Sequence, residues 1–169
     1  MPYDDQTELF YLVDKNDKVL GFIARKQAHK DRSKIHRSVD VVATNSSKQI
    51  LLQKRSKHKD TFPGFWTISA SGHVTYGQTY EQAAKREIEE ELGIHPPLRY
   101  VAKELYDMGI EQEYSTIYST SIEETPTNFD KTEIDEVRWV DIDSLAEFLK
   151  IEDVTPGCRG VLKTLGYVD

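Results

Sequence analysis

The stretch from Thr79 to Gly93 constrains this chain more than any other. Thr79 and Gln82 stand at the spacing of a capping box, and Gly93 followed by His95-Pro96-Pro97 stops what they start, so a helix is predicted over 79–92. Tyr80, Ala84, Ile88 and Leu92 recur every four residues and draw one apolar stripe that must be buried against a sheet. Beside that stripe, Glu87 and Glu91 are four apart and Glu90 is three from Glu87, so three carboxylates share a face. Like charges at this spacing repel by roughly 0.2–0.5 kcal/mol per exposed pair. A solvated acidic face is the ordinary outcome of such a run. The other outcome is a cation that offsets the repulsion, and a ligand set made of oxygen alone suits Mg²⁺ or Mn²⁺.

Strand-like segments surround that helix. Leu9–Val13 and Val19–Ala24 flank the polar run Asp14-Lys15-Asn16-Asp17-Lys18, which predicts a β-hairpin over about 8–24. Strands are expected at 38–44, 49–53, 66–70, 100–105, 114–122 and 137–140, with a second helix at 144–150. Residues 25–37 read as a basic loop carrying His29 and His36, and 123–132 as a polar loop. No repeat or linker divides the chain, so residues 1–169 are expected to form a single domain of mixed α+β class, long enough to bury its own core.

Composition narrows the functional classes. Lys+Arg 22 against Asp+Glu 29 gives a net charge of −7, which supplies no broad cationic footprint for a nucleic-acid polymer. With 38% hydrophobic and 30% charged residues, the chain fits neither a disordered tail nor a membrane bundle. No apolar run approaches the ~18–20 residues of a membrane span. The opening Met1-Pro2-Tyr3-Asp4-Asp5-Gln6 lacks the pattern of a secretory signal, and Cys158 stands alone. A soluble cytoplasmic protein without a membrane partner is expected.

From Gly72 to Ile94 the chain follows G-x5-E-x7-R-E-U-x-E-E-x-G-U, where U is a bulky aliphatic. Gly72, Arg86, Glu87, Ile88, Glu90, Glu91, Gly93 and Ile94 are in place, and Gln78 stands where the pattern has its first Glu. The segment resembles the signature of the Nudix family. Across roughly residues 9–149 the chain is similar to the subgroup related to isopentenyl-diphosphate isomerase, through Ala28-His29, Ile35-His36-Arg37, Leu52-Gln53-Lys54-Arg55-Ser56, Phe62-Pro63-Gly64-Phe65-Trp66 and Gly72-His73. The resemblance implies a Nudix fold: a mixed β-sheet in an α/β/α sandwich, with the box 72–94 as a loop-helix-loop metal site. It also implies cleavage of a diphosphate linked to another moiety, with Mg²⁺ or Mn²⁺ as cofactor.

By position, the resemblance makes Glu87, Glu90 and Glu91 the metal carboxylates. Glu87 would orient or deprotonate the attacking water, Glu90 would belong to the catalytic set, and Arg86 would brace the carboxylates. Arg25, Arg55 and Lys59 fall where the subgroup places cations for the substrate diphosphate. His29, His36, His73, Glu111 and Glu113 match the ligands of a second divalent metal, and three imidazoles with carboxylates suit Zn²⁺ or Mn²⁺. In the isomerases a cysteine moves the proton. Ser71 takes that place here, and a hydroxyl is far less acidic than a thiol.

The expected function is therefore a Mg²⁺-dependent pyrophosphohydrolase acting on a small nucleotide-like or prenyl-like diphosphate. An isopentenyl-diphosphate isomerase using Glu113 and Ser71 is one alternative. A Nudix module that binds a phosphorylated ligand without turning it over is another, kept open by Gln78. Tyr76, Tyr106, Tyr114, Phe65 and Trp66 are candidate stackers for a base or an isoprenoid. The oligomeric state is left open, a homodimer being one option.

Overall fold

The computed structural model describes residues 4–169. Its strands are β1 (Leu9–Val13), β2 (Val19–Ala24), β3 (Ile35–Thr44), β4 (Gln49–Arg55), β5 (Trp66–Thr67), β6 (Ala70–His73), β7 (Arg99–Asp107), β8 (Gln112–Ser121) and β9 (Ile134–Asp141). The helices are α1 (Arg25–Ala28), α2 (Tyr80–Leu92), α3 (Leu145–Ile151) and α4 (Pro156–Thr164).

Strand β3 organises the sheet. Along one edge it runs parallel to β8, from His36↔Glu113 to Thr44↔Ser121. Its other edge takes three antiparallel partners in succession: β1 at Leu12↔His36, β6 from Ser38↔His73 to Val41↔Ala70, and β4 at Thr44↔Ile50. Alternation along β3 sends neighbouring side chains to opposite faces. Val39, Val41 and Ala43 pack with Ala84, Ile88 and Leu92 of α2. Val42 packs with Ile117 of β8 and with Val161 and Leu162 of α4. Helices thus cover both faces of a mixed sheet, which is the expected α/β/α arrangement.

Helix α2 forms as its sequence predicts. The Thr79 hydroxyl accepts a bond from the Gln82 N–H, the Gln82 side chain accepts one from the Thr79 N–H, and Gly93 closes the helix at φ 68°. The predicted hairpin forms too, and Asp17 in its turn anchors it. Asp17 sits at φ 61° and accepts bonds from Arg37 Nε (2.7 Å), Lys103 Nζ (2.8 Å) and the Tyr80 hydroxyl (3.0 Å).

Three segments differ from expectation. The run 66–70 is not one strand: β5 ends at Thr67 and pairs with β4, and β6 begins at Ala70 and pairs with β3. The stretch 25–37 is not one loop: it holds α1, and His36 lies within β3, paired with Leu12. The polar run His36-Arg37-Ser38 hides the start of that strand from a hydropathy pattern. Helix α4 was not foreseen, because Pro156, Gly157 and Gly160 weaken its local preference. Burial of Cys158, Val161 and Leu162 against the sheet supplies what propensity lacks. No helix among the described residues is long and apolar enough to cross a membrane.

Candidate active site

Two clusters of candidate metal ligands and a polar floor meet at one cavity of about 390 Å³. Helix α2 lies on the opposite face of β3 from α4, so its glutamates must reach around the sheet to enter the cavity. Gly72 in β6 makes this possible: a Cβ there would sit 2.1 Å from Glu87 Cδ. Glu91 follows one helical turn later, its Oε2 accepting the Ser71 N–H (2.9 Å) and Gln53 Nε2 (3.2 Å). Glu87 and Glu91 are buried, whereas the Glu90 side chain is 58% exposed at the cavity rim.

Burial, reinforced by the neighbouring Glu91, pushes the Glu87 carboxyl well above the usual range. Burial likewise pushes Glu91 up to about 8, against the opposing pull of the Ser71 N–H. Arg86 contacts two of the three carboxylates, at 2.8 Å to Glu87 Oε1 and 3.2 Å to Glu90 Oε2. It also donates to the His73 carbonyl (2.9 Å), and its Nε donates to Gln78 Oε1 (3.2 Å). Gln78 thus engages Arg86 through a neutral bond where a carboxylate would form an ion pair. With all three glutamates ionised, one arginine would leave net negative charge, and an oxygen-preferring divalent cation would offset it and favour that ionised form.

Register assembles the second constellation. His36 faces Glu113 across β3 and β8, His73 comes from β6, His29 follows α1, and Glu111 immediately precedes β8. One ligand atom from each of His29, His36, His73 and Glu111 lies within 4.8 Å of all the others. His29 Nε2 is 3.0 Å from Glu111 Oε2, and His73 Nε2 is 3.0 Å from Glu113 Oε1. His36 Nε2 lies 3.4 Å from both glutamates. Despite this crowding, His36 Nε2 and Glu111 Oε2 are buried without a hydrogen bond of acceptable geometry. Atoms gathered this closely, two of them without a hydrogen bond, could serve as ligands of a metal, and the imidazole–carboxylate set fits Zn²⁺ or Mn²⁺.

The electrostatics of the cluster are strained accordingly. Burial works to lower His36, but Glu111 and Glu113 outweigh it and hold the imidazole at about 9. Burial lowers His73 to about 4, against the pull of Glu113. Burial and Glu113 would raise Glu111, yet His29 and His36 hold it at about 2. Phe10 stacks on the His73 ring at 4.2 Å between centroids and fixes its plane. Asp60, bound bidentately by Arg25, stands 3.3 Å from His29 Nδ1.

Arg25, Arg55 and Lys59 all line the cavity, but their charges are differently engaged. Arg25 is enclosed by Asp60 (2.9 Å), Asp4 (3.2 Å) and Glu8 (3.6 Å). Lys59 pairs with Asp4 and Glu133. Arg55 donates to the Thr61 carbonyl and, among the described residues, pairs with no carboxylate, so it has the freest charge of the three to meet an anion. Of the candidate stackers, Tyr106 lines the cavity. Trp66 is buried in the core instead, and Tyr76 is exposed.

Three lining groups were not foreseen in these roles. Ser38 and Asp40 alternate on β3 and project from the same face as Ser71 and His73, their partners on β6. Asp40 Oδ2 accepts a 2.6 Å bond from the Ser115 hydroxyl, and burial pushes its carboxyl up to about 7. Cys158 enters the cavity from α4, and burial, with Asp40 nearby, raises its thiol far above the usual range. For Ser38 and Asp40 the sequence shows only a polar residue at every second position, and the layers covering β3 are what give that pattern its meaning.

Comparison with known proteins bears on the family and the fold. A family model described as the NUDIX domain matches residues 34–163. The chain is 30% identical over 170 residues to a Photorhabdus laumondii protein named isopentenyl-diphosphate Delta-isomerase 2, covering 96% of this chain and 94% of that one. It is 33% identical over 157 residues to a prenyl-diphosphate phosphatase of Methanosarcina mazei, covering 89% and 91%. A crystal structure of a Deinococcus radiodurans protein superposes with a TM-score of 0.81 at 26% identity, over 92% of this chain and 98% of the other.

Proposed function

The chain belongs to the Nudix family and is a hydrolase acting on diphosphate linkages, and on that premise we propose that it is a divalent-metal-dependent pyrophosphohydrolase of small molecules. One observation carries this reading: Glu87 and Glu91 are buried side by side, reaching past Gly72 into a cavity that also holds Arg55 and Lys59. Buried acid and cation facing each other across one cavity suit a polyanion bridged by metal. Glu87, Glu90 and Glu91 would hold Mg²⁺ or Mn²⁺, while His29, His36, His73, Glu111 and Glu113 would hold a second ion, Zn²⁺ or Mn²⁺. Bound there, such a cation neutralises phosphate oxygens and acidifies water.

The chain's own residues do the rest. With Arg86 at Glu87 Oε1, an ionised Glu87 would alternatively use Oε2 to take the proton of the water that attacks phosphorus as the bridging P–O bond breaks, Glu90 and Glu91 then holding the metal. Arg55 and Lys59 receive the negative charge of the separating phosphates. In this reading residues 1–169 act as a single-domain cytoplasmic enzyme, with neither a nucleic-acid polymer nor a membrane as partner.

Glu90→Gln provides the test, because Glu90 stands at the exposed rim and its substitution leaves the core untouched. Its kcat should fall by about 10²–10⁴-fold with an unchanged melting temperature. Full activity in a folded Glu90→Gln protein overturns the reading. The His/Glu cluster and the name of the Photorhabdus relative favour a second reading, isopentenyl-diphosphate isomerase. Ser71 has no thiol, and burial holds Cys158 protonated, so proton transfer on that route lacks its acid–base group. An NMR assay of isopentenyl diphosphate with Mg²⁺ and Mn²⁺ decides it: an allylic product supports isomerase, and its absence removes that reading.

A further inference from the structure

The segment that precedes β1 lies along the cavity and sets its acids on the cavity's cations. Asp4, Asp5 and Glu8 line the cavity together with Arg25 and Lys59. The Asp4 side chain is only 5% exposed, and both of its oxygens are engaged. Oδ1 pairs with Arg25 (3.2 Å) and with Lys59, and Oδ2 accepts the Asp60 N–H (3.0 Å). A guanidinium, an ammonium and a backbone N–H gathered on two oxygens are the same donors that hold a phosphate. Glu8 places a second carboxylate on Arg25 (3.6 Å), while Asp60 and Glu133 hold the other sides of the two cations. Four carboxylates therefore face two cations, and a phosphate entering with Asp4 in place meets repulsion there instead of a free positive charge.

We propose that residues 4–8 form an acidic strap that closes the anion subsite of the free chain, and that an arriving phosphate displaces Asp4 from Arg25 and Lys59. The inference rests on the hydrolase reading and concerns the control of access to that same site. Asp4-Asp5-Gln6-Thr7-Glu8 carries no apolar side chain and belongs to no strand or helix, so no hydrophobic burial fixes it. Its ties are polar. Gln6 Nε2 donates to Asp60 Oδ2 (3.0 Å), the Gln6 carbonyl accepts the Lys26 N–H (3.1 Å), and the Glu8 carbonyl accepts the Arg25 N–H (2.8 Å). Asp4 lies farthest from β1, so it can leave while Glu8 keeps its place. A phosphate that takes over its donors keeps both cations paired, and the exchange leaves no buried charge uncompensated. The strap acts on affinity: a site open about a tenth of the time binds about 10-fold more weakly than one always open.

A non-hydrolysable anion reads the strap without turnover. The full chain with Mg²⁺ is titrated calorimetrically with methylene diphosphonate, beside its Asp4→Asn and Asp5→Asn variants. Cleavage of nucleotide and prenyl diphosphates is assayed in parallel. Asp4→Asn keeps an acceptor for the Asp60 N–H but gives up the competing charge, and should bind the diphosphonate about 10-fold tighter than the unaltered chain. Asp5→Asn removes the same charge from the same strap. The Asp5 carboxylate is exposed and accepts only from Thr7 among the described residues, so this variant should change affinity by less than about 2-fold. In the unaltered chain, the diphosphonate should quicken amide hydrogen exchange across residues 4–8 as the strap is released.

Equal or weaker binding by Asp4→Asn, an equal gain from Asp5→Asn, unchanged or slower exchange across residues 4–8, or no binding by any of the three proteins overturns the proposal. Should Asp4→Asn fail to fold, the exchange measurement on the unaltered chain decides alone. A tighter-binding Asp4→Asn protein, in a chain that cleaves no diphosphate, strikes the hydrolase reading and leaves the strap standing. A chain that cleaves diphosphates with a KM that Asp4→Asn does not lower does the reverse.

Discussion

Asp40 puts an ionisable group where β3 has least use for charge, and its titration follows from that. Burial raises its carboxyl from 3.8 to about 7 in the folded chain, so below about 4 the acid is neutral in both folded and unfolded states. Between those values the folded state keeps a proton that the unfolded chain has released. Stability therefore falls as pH rises through this window, by at most about 1.4 kcal/mol per pH unit, and levels off above the folded value. Asp40→Asn should flatten the slope of unfolding free energy between pH 5 and 7.5, measured by urea denaturation of metal-free protein. Identical slopes in the two proteins would remove the buried carboxyl as their source. At this scale the sequence was legible where the function of a residue is local. Gln78 and Arg86 are such a case, since the signature marked both positions, and the structure joins them by a 3.2 Å bond. Asp40 was illegible, because a strand aspartate reads as solvent-facing until the layer covering it is known.

Among the elements, helix α2 was readable from its own residues: a reciprocal cap, a four-residue apolar repeat and a terminating glycine all act within one segment. The start of strand β3 and the whole of helix α4 were not, because they depend on what packs against them. The hairpin β1–β2 shows the same division. Its turn was evident, but its attachment to the body was not, since Asp17 holds Arg37 of β3, Lys103 of β7 and Tyr80 of α2 from far along the chain. Asp17→Ala should cost about 2–3 kcal/mol in stability, less than a fully buried pair because Lys103 is partly exposed. Asp17→Asn should cost about half of that, since it keeps an acceptor and tolerates the left-handed backbone. Urea midpoints check both, and an unchanged midpoint for the alanine variant would show that the anchor contributes nothing.

For the molecule as a whole, a metal held in the cavity would couple folding to binding. The His/Glu cluster draws on α1, β3, β6 and β8 at once, so its ligands are together only in the folded chain and a bound ion stabilises that state alone. At a hundred times its dissociation constant, Zn²⁺ or Mn²⁺ should add about 2.7 kcal/mol, equivalent to roughly 5–10 °C in melting temperature. His36→Ala should abolish that increment while leaving the increment from Mg²⁺ at the α2 glutamates. A melting temperature indifferent to Zn²⁺ and Mn²⁺ would mean that the cluster holds no metal. By itself the sequence determined the family, the capped helix and the identity of the acidic and histidine residues, because these are written in spacing within short segments. Only the tertiary structure decided that Glu87 reaches the cavity past Gly72, that Arg25 is enclosed by three carboxylates while Arg55 is not, and that Ser38 and Asp40 floor the cavity. Those facts depend on strand register and on which layers cover the sheet, and both are set by contacts between residues distant in the chain.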